Sequence, residues 1–418
     1  MRAILAKNRQ AVLLSVVLLF FLVFFFILLP KALSDHYVFS LENSTSSLSA
    51  IAPEKIIFTP SYVSTPKPVK GIYLTSWTAS NVKLRNDLVK LIDDTEINAI
   101  VIDIKDYSGK IVFPVENAAL KQYGSEDIRN PDLREFIESL HKKSIYVIAR
   151  IAVFQDAYFV KFRPDLAVKN LAGEAVWKDY KGISWIDPGS REYWDYIVLL
   201  SKEARKIGFD EINFDYIRFP SDGNMQDISY PWSSTTPKTL VMKSFFAYLR
   251  DSLIPLGDAS GEERLKISAD LFGMTTSAKD DMGIGQLLEN TFPYFDYVSP
   301  MVYPSHYSSN FQGFQNPAKY PYEVVHFSMM SAVDRASKMN MVTTTTEIIN
   351  DTTTKVSHIE DLNYKEKLRP WLQDFDLGAH YTAGMVRAQI DASDQNGGVG
   401  WLLWNPAARY TEGVLRER

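Results

Sequence analysis

Eight short apolar runs, each followed by an amphipathic or loop segment, recur from Val69 to the end of this 418-residue chain. That alternation constrains its fold more than any other feature. The runs cover 70–76, 98–104, 145–151, 210–215, 265–271, 296–302, 368–374 and 398–404. Helical periodicity predicts helices near 84–95, 131–142, 190–207, 236–254, 283–290, 321–338 and 382–394. Several runs are apolar along most of their length, as a strand covered on both faces requires. Eight strands alternating with helices over about 350 residues predict an α/β fold, a (β/α)8 TIM barrel with insertions. A doubly wound open sheet is the runner-up, but no Gly-x-Gly-x-x-Gly follows the first strand. Pro131 suits the first turn of the second helix, and Asp187, followed by Pro188, suits the N-cap of the third. The stretch Met341–Asp361 reads as a polar, Thr-rich insertion ahead of the seventh strand.

The N-terminus is of another kind. Arg2, Lys7 and Arg9 precede an apolar run from Ala11 to Leu29 broken only by Ser15. At ~1.5 Å per residue this run spans roughly 28 Å, the thickness of a bilayer's hydrocarbon core. The positive flank predicts a cytoplasmic N-terminus and export of the rest. A cleaved signal peptide is the competing reading, but the run is long for one and Pro30-Lys31-Ala32-Leu33-Ser34 is a poor cleavage site. The expected plan is a cytoplasmic stub and transmembrane signal anchor at 1–33, a Ser/Thr/Pro-rich linker at 34–68 and one barrel domain at 69–418. The barrel would then face outward from the cell membrane.

Composition narrows the chemistry. A hydrophobic content of 46% supports a sizeable core, and a net charge of −5 argues against a nucleic-acid partner. With no cysteine there are no disulfides, thiolate metal sites or cysteine nucleophiles. The six histidines are few for a zinc site, and only His306 falls at the expected active face. A Mg²⁺ or Ca²⁺ site built from Asp103, Asp215 and Asp270 is conceivable, but no spacing demands one. Neither a phosphate loop nor a Gly-x-Ser-x-Gly elbow is present, and no cofactor is expected.

In a barrel, the C-terminal ends of the strands build the active site. Read in order, that face offers Ser76 and Trp77; Asp103, Lys105 and Asp106; Arg150, with Gln155 and Asp156 beyond it; Asp215 and Arg218; Asp270; Tyr303 and His306; Gln373 and Asp374; and finally Trp401, Trp404 and Asn405. Acids and aromatics on one face suit a carbohydrate, because sugar rings stack on Trp and Tyr while carboxylates bond hydroxyls and cleave the glycosidic bond. Hydrolysis needs two carboxyl groups, one to protonate the leaving oxygen and one to attack or to activate water. Asp215 is the expected nucleophile or electrostatic stabiliser, with Arg218 as charge partner, and Asp270 is the expected general acid. Trp77, Asp103, Lys105, Arg150, Arg218, Tyr303, His306, Asp374, Trp401, Trp404 and Asn405 are the expected substrate contacts.

Each of these residues has a plainer reading beside it. Asp210 and Glu211, at the far end of their strand, read as solvated loop acids. Asp103 either pairs with Lys105 or Arg150 or meets substrate. Asp374 either caps the following loop or joins the active face, and Asp156 and Asp187 read as loop and cap residues. Trp177 and Trp185 are core or platform; Tyr107 and Tyr216 read equally well as packing. For Asp215 and Asp270 the alternative is a buried, hydrogen-bonded acid.

Several long motifs carry a family resemblance: Gly71-Ile-Tyr-Leu-Thr75, Asn98-Ala-Ile-Val-Ile-Asp-Ile-Lys-Asp106, Phe214-Asp-Tyr-Ile-Arg-Phe-Pro-Ser-Asp-Gly223, Ser268-Ala-Asp-Leu-Phe-Gly273, Ser299-Pro-Met-Val-Tyr-Pro-Ser-His-Tyr307, Arg369-Pro-Trp-Leu-Gln-Asp-Phe375 and Gly400-Trp-Leu-Leu-Trp-Asn405. From about Val69 onward the chain resembles a glycosyl hydrolase family of bacterial envelope proteins, long catalogued as a domain of unknown function. The resemblance implies a TIM-barrel hydrolase distantly similar to the alpha-amylase and alpha-galactosidase superfamilies, in which a fourth-strand aspartate is the nucleophile. That role would fall on Asp215. Amylase-like enzymes carry a fifth-strand glutamate as acid, where this chain has Asp270. In alpha-galactosidase-like enzymes the acid comes from the sixth strand, where this chain offers Tyr303 and His306 and no carboxylate. The expectation is a membrane-anchored glycoside hydrolase acting on an envelope or extracellular polysaccharide. A non-catalytic glycan-binding barrel and a metal-dependent polysaccharide deacetylase are the alternatives.

Overall fold

The computed structural model describes residues 58–254, 264–339, 341–349, 352–360 and 362–418. The anchor at 1–33 and residues 34–57 of the linker lie outside the described residues. Among those described, no helix is long and apolar enough to cross a membrane. The strands are β1 (Val69–Leu74), β2 (Ala99–Lys105), β3 (Tyr146–Ala152), β4 (Glu211–Asp215), β5 (Lys266–Phe272), β6 (Tyr297–Met301), β7 (Met341–Ile349), β8 (Thr352–Glu360), β9 (Trp371–Gln373) and β10 (Gly400–Trp404).

Eight of them form a closed barrel in the order β1-β2-β3-β4-β5-β6-β9-β10, with β10 returning to β1. All neighbours are parallel. β2 and β3 are apolar at nearly every position because helices cover one face and the barrel interior the other. At the closing seam Gly400 has φ +124, and a side chain there would collide with the Val69 carbonyl, so only glycine lets β10 meet β1. β7 and β8 pair antiparallel, so the Thr-rich insertion forms a hairpin outside the barrel sheet.

The long helices follow the predicted pattern: Val82–Asp94, Leu133–His141, Arg191–Lys206, Lys238–Leu253, Pro321–Ser337 and Ala383–Gln395. Asn81 and Thr382 start two of them by accepting the Leu84 and Met385 amides at 3.1 and 3.4 Å. Three local expectations need correction. The helix predicted at 283–290 shrinks to Leu288–Thr291. Gly283 and Gly285 take positive φ, and the Asp281 carboxylate captures both of their amides, which withdraws that stretch from a helix. Pro131 lies before the cap residue Asp132, outside its helix. Ser190, not Asp187, occupies the N-cap position of Arg191–Lys206. The Asp187 carboxylate instead accepts from Gly189, Trp232 and Ser233, tying the loop after β3 to the loop after β4.

The folded unit begins at Thr59, so the end of the predicted linker belongs to it. Val63 donates its amide to Asp210 at 2.8 Å and Thr65 reaches the Tyr146 hydroxyl at 3.3 Å. These bonds sit at the N-terminal end of the barrel strands, opposite the predicted active face.

The two layers of core differ in kind. Between sheet and helices the packing is mainly apolar. Inside the barrel, Val69, Ala99, Val101, Ile148 and Leu402 fill the side lined by β1, β2, β3 and β10. The β4–β5 side is polar from end to end. Glu211, read from sequence as a solvated acid, is fully buried and paired with Arg369, and Ser268 donates to it at 2.5 Å. Asn213 in turn donates to Ser268 at 2.9 Å and to Asp270 at 2.8 Å. Asp210 is buried too, taking bonds from the Val63 and Val147 amides and from His141. Buried acids persist only where such partners exist.

Candidate active site

The polar ladder inside the barrel leads upward to three carboxylates around one guanidinium. Arg150, inward on β3, donates to Asp103 on β2 at 2.5 Å and to Asp215 at the end of β4, and its Nε lies 3.7 Å from Asp270 Oδ2. Register explains the convergence. Asp103 pairs with Arg150 across the β2–β3 seam, while Phe214 and Ala269 pair across β4–β5, leaving Asp215 and Asp270 as the next residues on adjacent strands. The charge partner of Asp215 is therefore Arg150. The predicted partner, Arg218, turns away to bond the Phe219 carbonyl and Ser221, with its guanidinium 5.0 Å from the Trp185 ring centre. Asp103 pairs with Arg150 and accepts from the Tyr73 hydroxyl; Lys105 takes no part. The same guanidinium occupies the centre that a divalent cation would need.

The two central aspartates have different surroundings. Asp215 Oδ1 accepts the amide of the next residue, Tyr216, at 2.5 Å. Tyr216 carries φ +52, a left-handed conformation that is costly for an aromatic residue and marks backbone strain beside the acid. Asp270 is 1% exposed; its Oδ1 accepts from Asn213 and from Trp371 Nε1 at 2.7 Å. Its Oδ2 is buried with no hydrogen-bond partner among the described residues. Burial first, and then the charge of Asp215, pushes the Asp270 carboxyl up to about 8. β5 continues through Phe272, so Asp270 lies inside the barrel mouth and not at the strand end.

Burial works against the charge on Arg150, but Asp103 and Asp215 outweigh it and hold the guanidinium well above its ordinary range. Burial pushes Asp103 up against the pull of Arg150. It also holds the Tyr303 phenol proton well above its usual range, reinforced by Asp270 and Asp215. Desolvation, aided by Lys181, keeps His306 below the usual imidazole value.

Asp215 and Asp270 line one cavity of about 210 Å³ with Arg150, Arg218, His306 and Trp404. Tyr303 stacks on Trp404 with ring centres 5.5 Å apart, and Phe375 meets Trp404 edge-on at 5.0 Å, giving the cavity an aromatic wall. Trp77 and Asp103 line an adjoining cavity instead.

Four predicted substrate contacts lie elsewhere. Lys105 is fully buried, with Nζ 2.9 Å from Asp156 and 2.6 Å from the Ala152 carbonyl. Trp401 is fully buried in the layer between sheet and helices because it points outward from β10. Asp374 accepts from the Thr411 amide and hydroxyl, and Asn405 donates to the Asp374 carbonyl while capping the Ala407 amide. These two staple the loops after β9 and β10. Trp177 and Trp185 are core, and Gln373 bonds Ser305 and Phe375. Sequence reasoning passed over Tyr73, Asn213 and Trp371. Asn213 was within reach, since two residues before Asp215 on a strand is the same face.

A family model described as "Putative glycosyl hydrolase domain" matches residues 71–410. The chain belongs to this family of glycoside hydrolases. Among solved structures, the glycoside hydrolase domain of PgaB (BpsB) from Bordetella bronchiseptica is similar at 12% identity and TM-score 0.54, covering 82% of this chain and 94% of that one. At that identity the likeness shows the shared barrel fold. A hypothetical protein from Ruminiclostridium thermocellum is 33% identical over 47% of this chain and 96% of its own, at TM-score 0.42. An alpha-galactosidase from Thermus thermophilus matches at 11% identity, over 84% of this chain and 61% of that one, at TM-score 0.47. No curated protein matches the chain.

Proposed function

We propose that this glycoside hydrolase cleaves O-glycosidic bonds of an envelope or extracellular polysaccharide with Asp215 as nucleophile and Asp270 as general acid. The observation that carries the reading is the asymmetry of two neighbouring aspartates. One is bonded to Arg150 near the mouth; the other is desolvated, its carboxyl pushed upward by burial, with an unpartnered oxygen in the same cavity. Environments that drive two carboxyls apart in this way divide acid from base work.

In the proposed reaction Asp270 gives its proton to the glycosidic oxygen as the bond to the anomeric carbon breaks. Asp215 attacks that carbon and forms a glycosyl ester. Asp270, now ionised, takes a proton from water, which attacks the ester and frees the sugar and Asp215. A retaining course needs the two carboxyls about 5–5.5 Å apart, and placing them on adjacent strands brings them near each other. Arg150 bonds and orients Asp215, and Tyr303, Trp404 and His306 bind the sugar.

The run Ala11–Leu29 with its basic flank supports placing the enzyme as a single-pass anchor protein with the barrel outside the cell membrane. Protease added to intact cells should then digest the barrel; full protection would contradict that placement. For the chemistry, Asp215→Asn and Asp270→Asn should each abolish release of reducing ends from a polysaccharide the wild type cleaves. Full activity in either variant would overturn the assignment. A protein that only binds glycan would keep its affinity in Asp215→Ala and show no turnover in the wild type.

A further inference from the structure

A second cavity opens beside the catalytic one. Its volume is about 560 Å³, and Arg150, Tyr216 and Trp404 line both cavities, so the two are lobes of one cleft. The catalytic lobe, at about 210 Å³, is smaller than the ~300–1,000 Å³ of an ordinary small-molecule pocket, whereas the second lobe falls within that range.

The second lobe has a built platform. Trp77 is 64% exposed, yet it is not a loose surface ring. The Arg129 guanidinium lies 4.3 Å from its ring centre. Arg129 is itself fixed by Ser76 Oγ at 2.9 Å, Asp127 at 2.8 Å and Asp106 at 3.3 Å. An indole braced by a fixed guanidinium and left open presents an apolar surface at reduced ordering cost. Tyr107, 54% exposed, adds a second aromatic from the next loop, and Gln155 and Lys181 supply polar edges. Aromatic faces set among polar groups match the apolar faces and hydroxyl rims of sugar rings.

Building on the catalytic reading above, we infer that this lobe is a glycan-binding subsite region that holds the substrate chain beyond the sugar in the catalytic lobe. The exposure of Trp77 means that the lobe ends in solvent and not in a wall, so a chain can run out past it. The substrate class that fits is an oligosaccharide or polysaccharide cut within the chain, not a terminal sugar clipped from its end.

The test uses the full-length chain in detergent carrying Asp215→Asn. It is measured on an array of glucose-, galactose- and N-acetylglucosamine-based glycans, running from single sugars to long oligosaccharides. Affinity should rise with chain length. Trp77→Ala should remove that rise, a loss of roughly tenfold on the longer glycans, and Trp77→Phe should restore most of it. Equal affinity for short and long glycans, no effect of Trp77→Ala in a protein with unchanged circular dichroism, or no binding at all would overturn the inference. The two readings part cleanly. Length-dependent binding without wild-type turnover keeps the lobe and removes the catalytic assignment. Release of single terminal sugars only, indifferent to Trp77, does the reverse.

Discussion

Asn213 Nδ2 donates to Asp270 Oδ1 at 2.8 Å across the seam between β4 and β5. Trp371 Nε1 donates to the same oxygen at 2.7 Å. Both bonds fix the carboxyl by one oxygen and leave Oδ2, the other, for the proton. Asn213 is thus a positioning residue for the proposed acid.

Removing that bond should show in the pH profile. Asn213's bond favours ionised Asp270, working against the burial that raises its value to about 8. Losing it raises the value further. In Asn213→Ala the alkaline limb of kcat/KM should therefore move to higher pH, beyond any fall in the maximum. An unmoved limb, or one moved to lower pH, would contradict the positioning role.

Asp270 should also lower stability in alkali. Its folded-state value lies above the ordinary 3.8, so the native state holds the proton more tightly than the unfolded chain. The stability this contributes is complete below that ordinary value and is lost as pH rises toward about 8. Asp270→Asn keeps an acceptor for Asn213 and Trp371 and has no proton to lose. The variant should be inactive yet melt at a higher temperature than the wild type at pH 8, with a smaller gain at pH 5. Thermal melts at the two pH values check this.

Arg150 should be needed for both fold and chemistry. Arg150→Met leaves Asp103 and Asp215 buried without their shared cation, a loss of about 3–5 kcal/mol. Arg150→Lys keeps a charge but cannot fork to two carboxylates. It should retain most of the melting temperature while kcat falls at least roughly tenfold. Equal effects on melting and kcat would argue that the residue is structural alone.

Lys105 should behave in the opposite way. Its Nζ is sealed against Asp156, which also accepts from Tyr193 and the Tyr158 and Phe159 amides. Lys105→Met should destabilise by about 3–5 kcal/mol in a denaturant melt and leave KM unchanged at temperatures where the variant is folded. A raised KM with normal stability would return Lys105 to the substrate.

The fold was legible because its signal is repeated. All eight barrel strands fall where the apolar runs put them, including the short β9, which joins β6 through Met301 and Trp371. Asp215 and Asp270 were legible as residues because strand position fixes the face of a side chain. What remained hidden depends on partners distant in sequence. Glu211 looks solvated until Arg369, on the approach to β9, arrives to pair with it. Arg218 looks like the neighbour of Asp215 along the chain, but Arg150 reaches it across the β3–β4 seam. Trp401 and Trp404 look alike in one motif, yet only Trp404 lines the cleft, since three residues along a strand reverse the face. Asp374 and Asn405 serve loops whose course no local pattern reveals.

The division of labour between Asp215 and Asp270 is tested most directly by quenching the enzyme in acid during turnover of a polysaccharide it cleaves and mapping its peptides by mass spectrometry. A sugar ester on Asp215, absent from Asp215→Asn, is the expected result. An ester on another residue, or steady turnover with no ester and an inverted product, would contradict it.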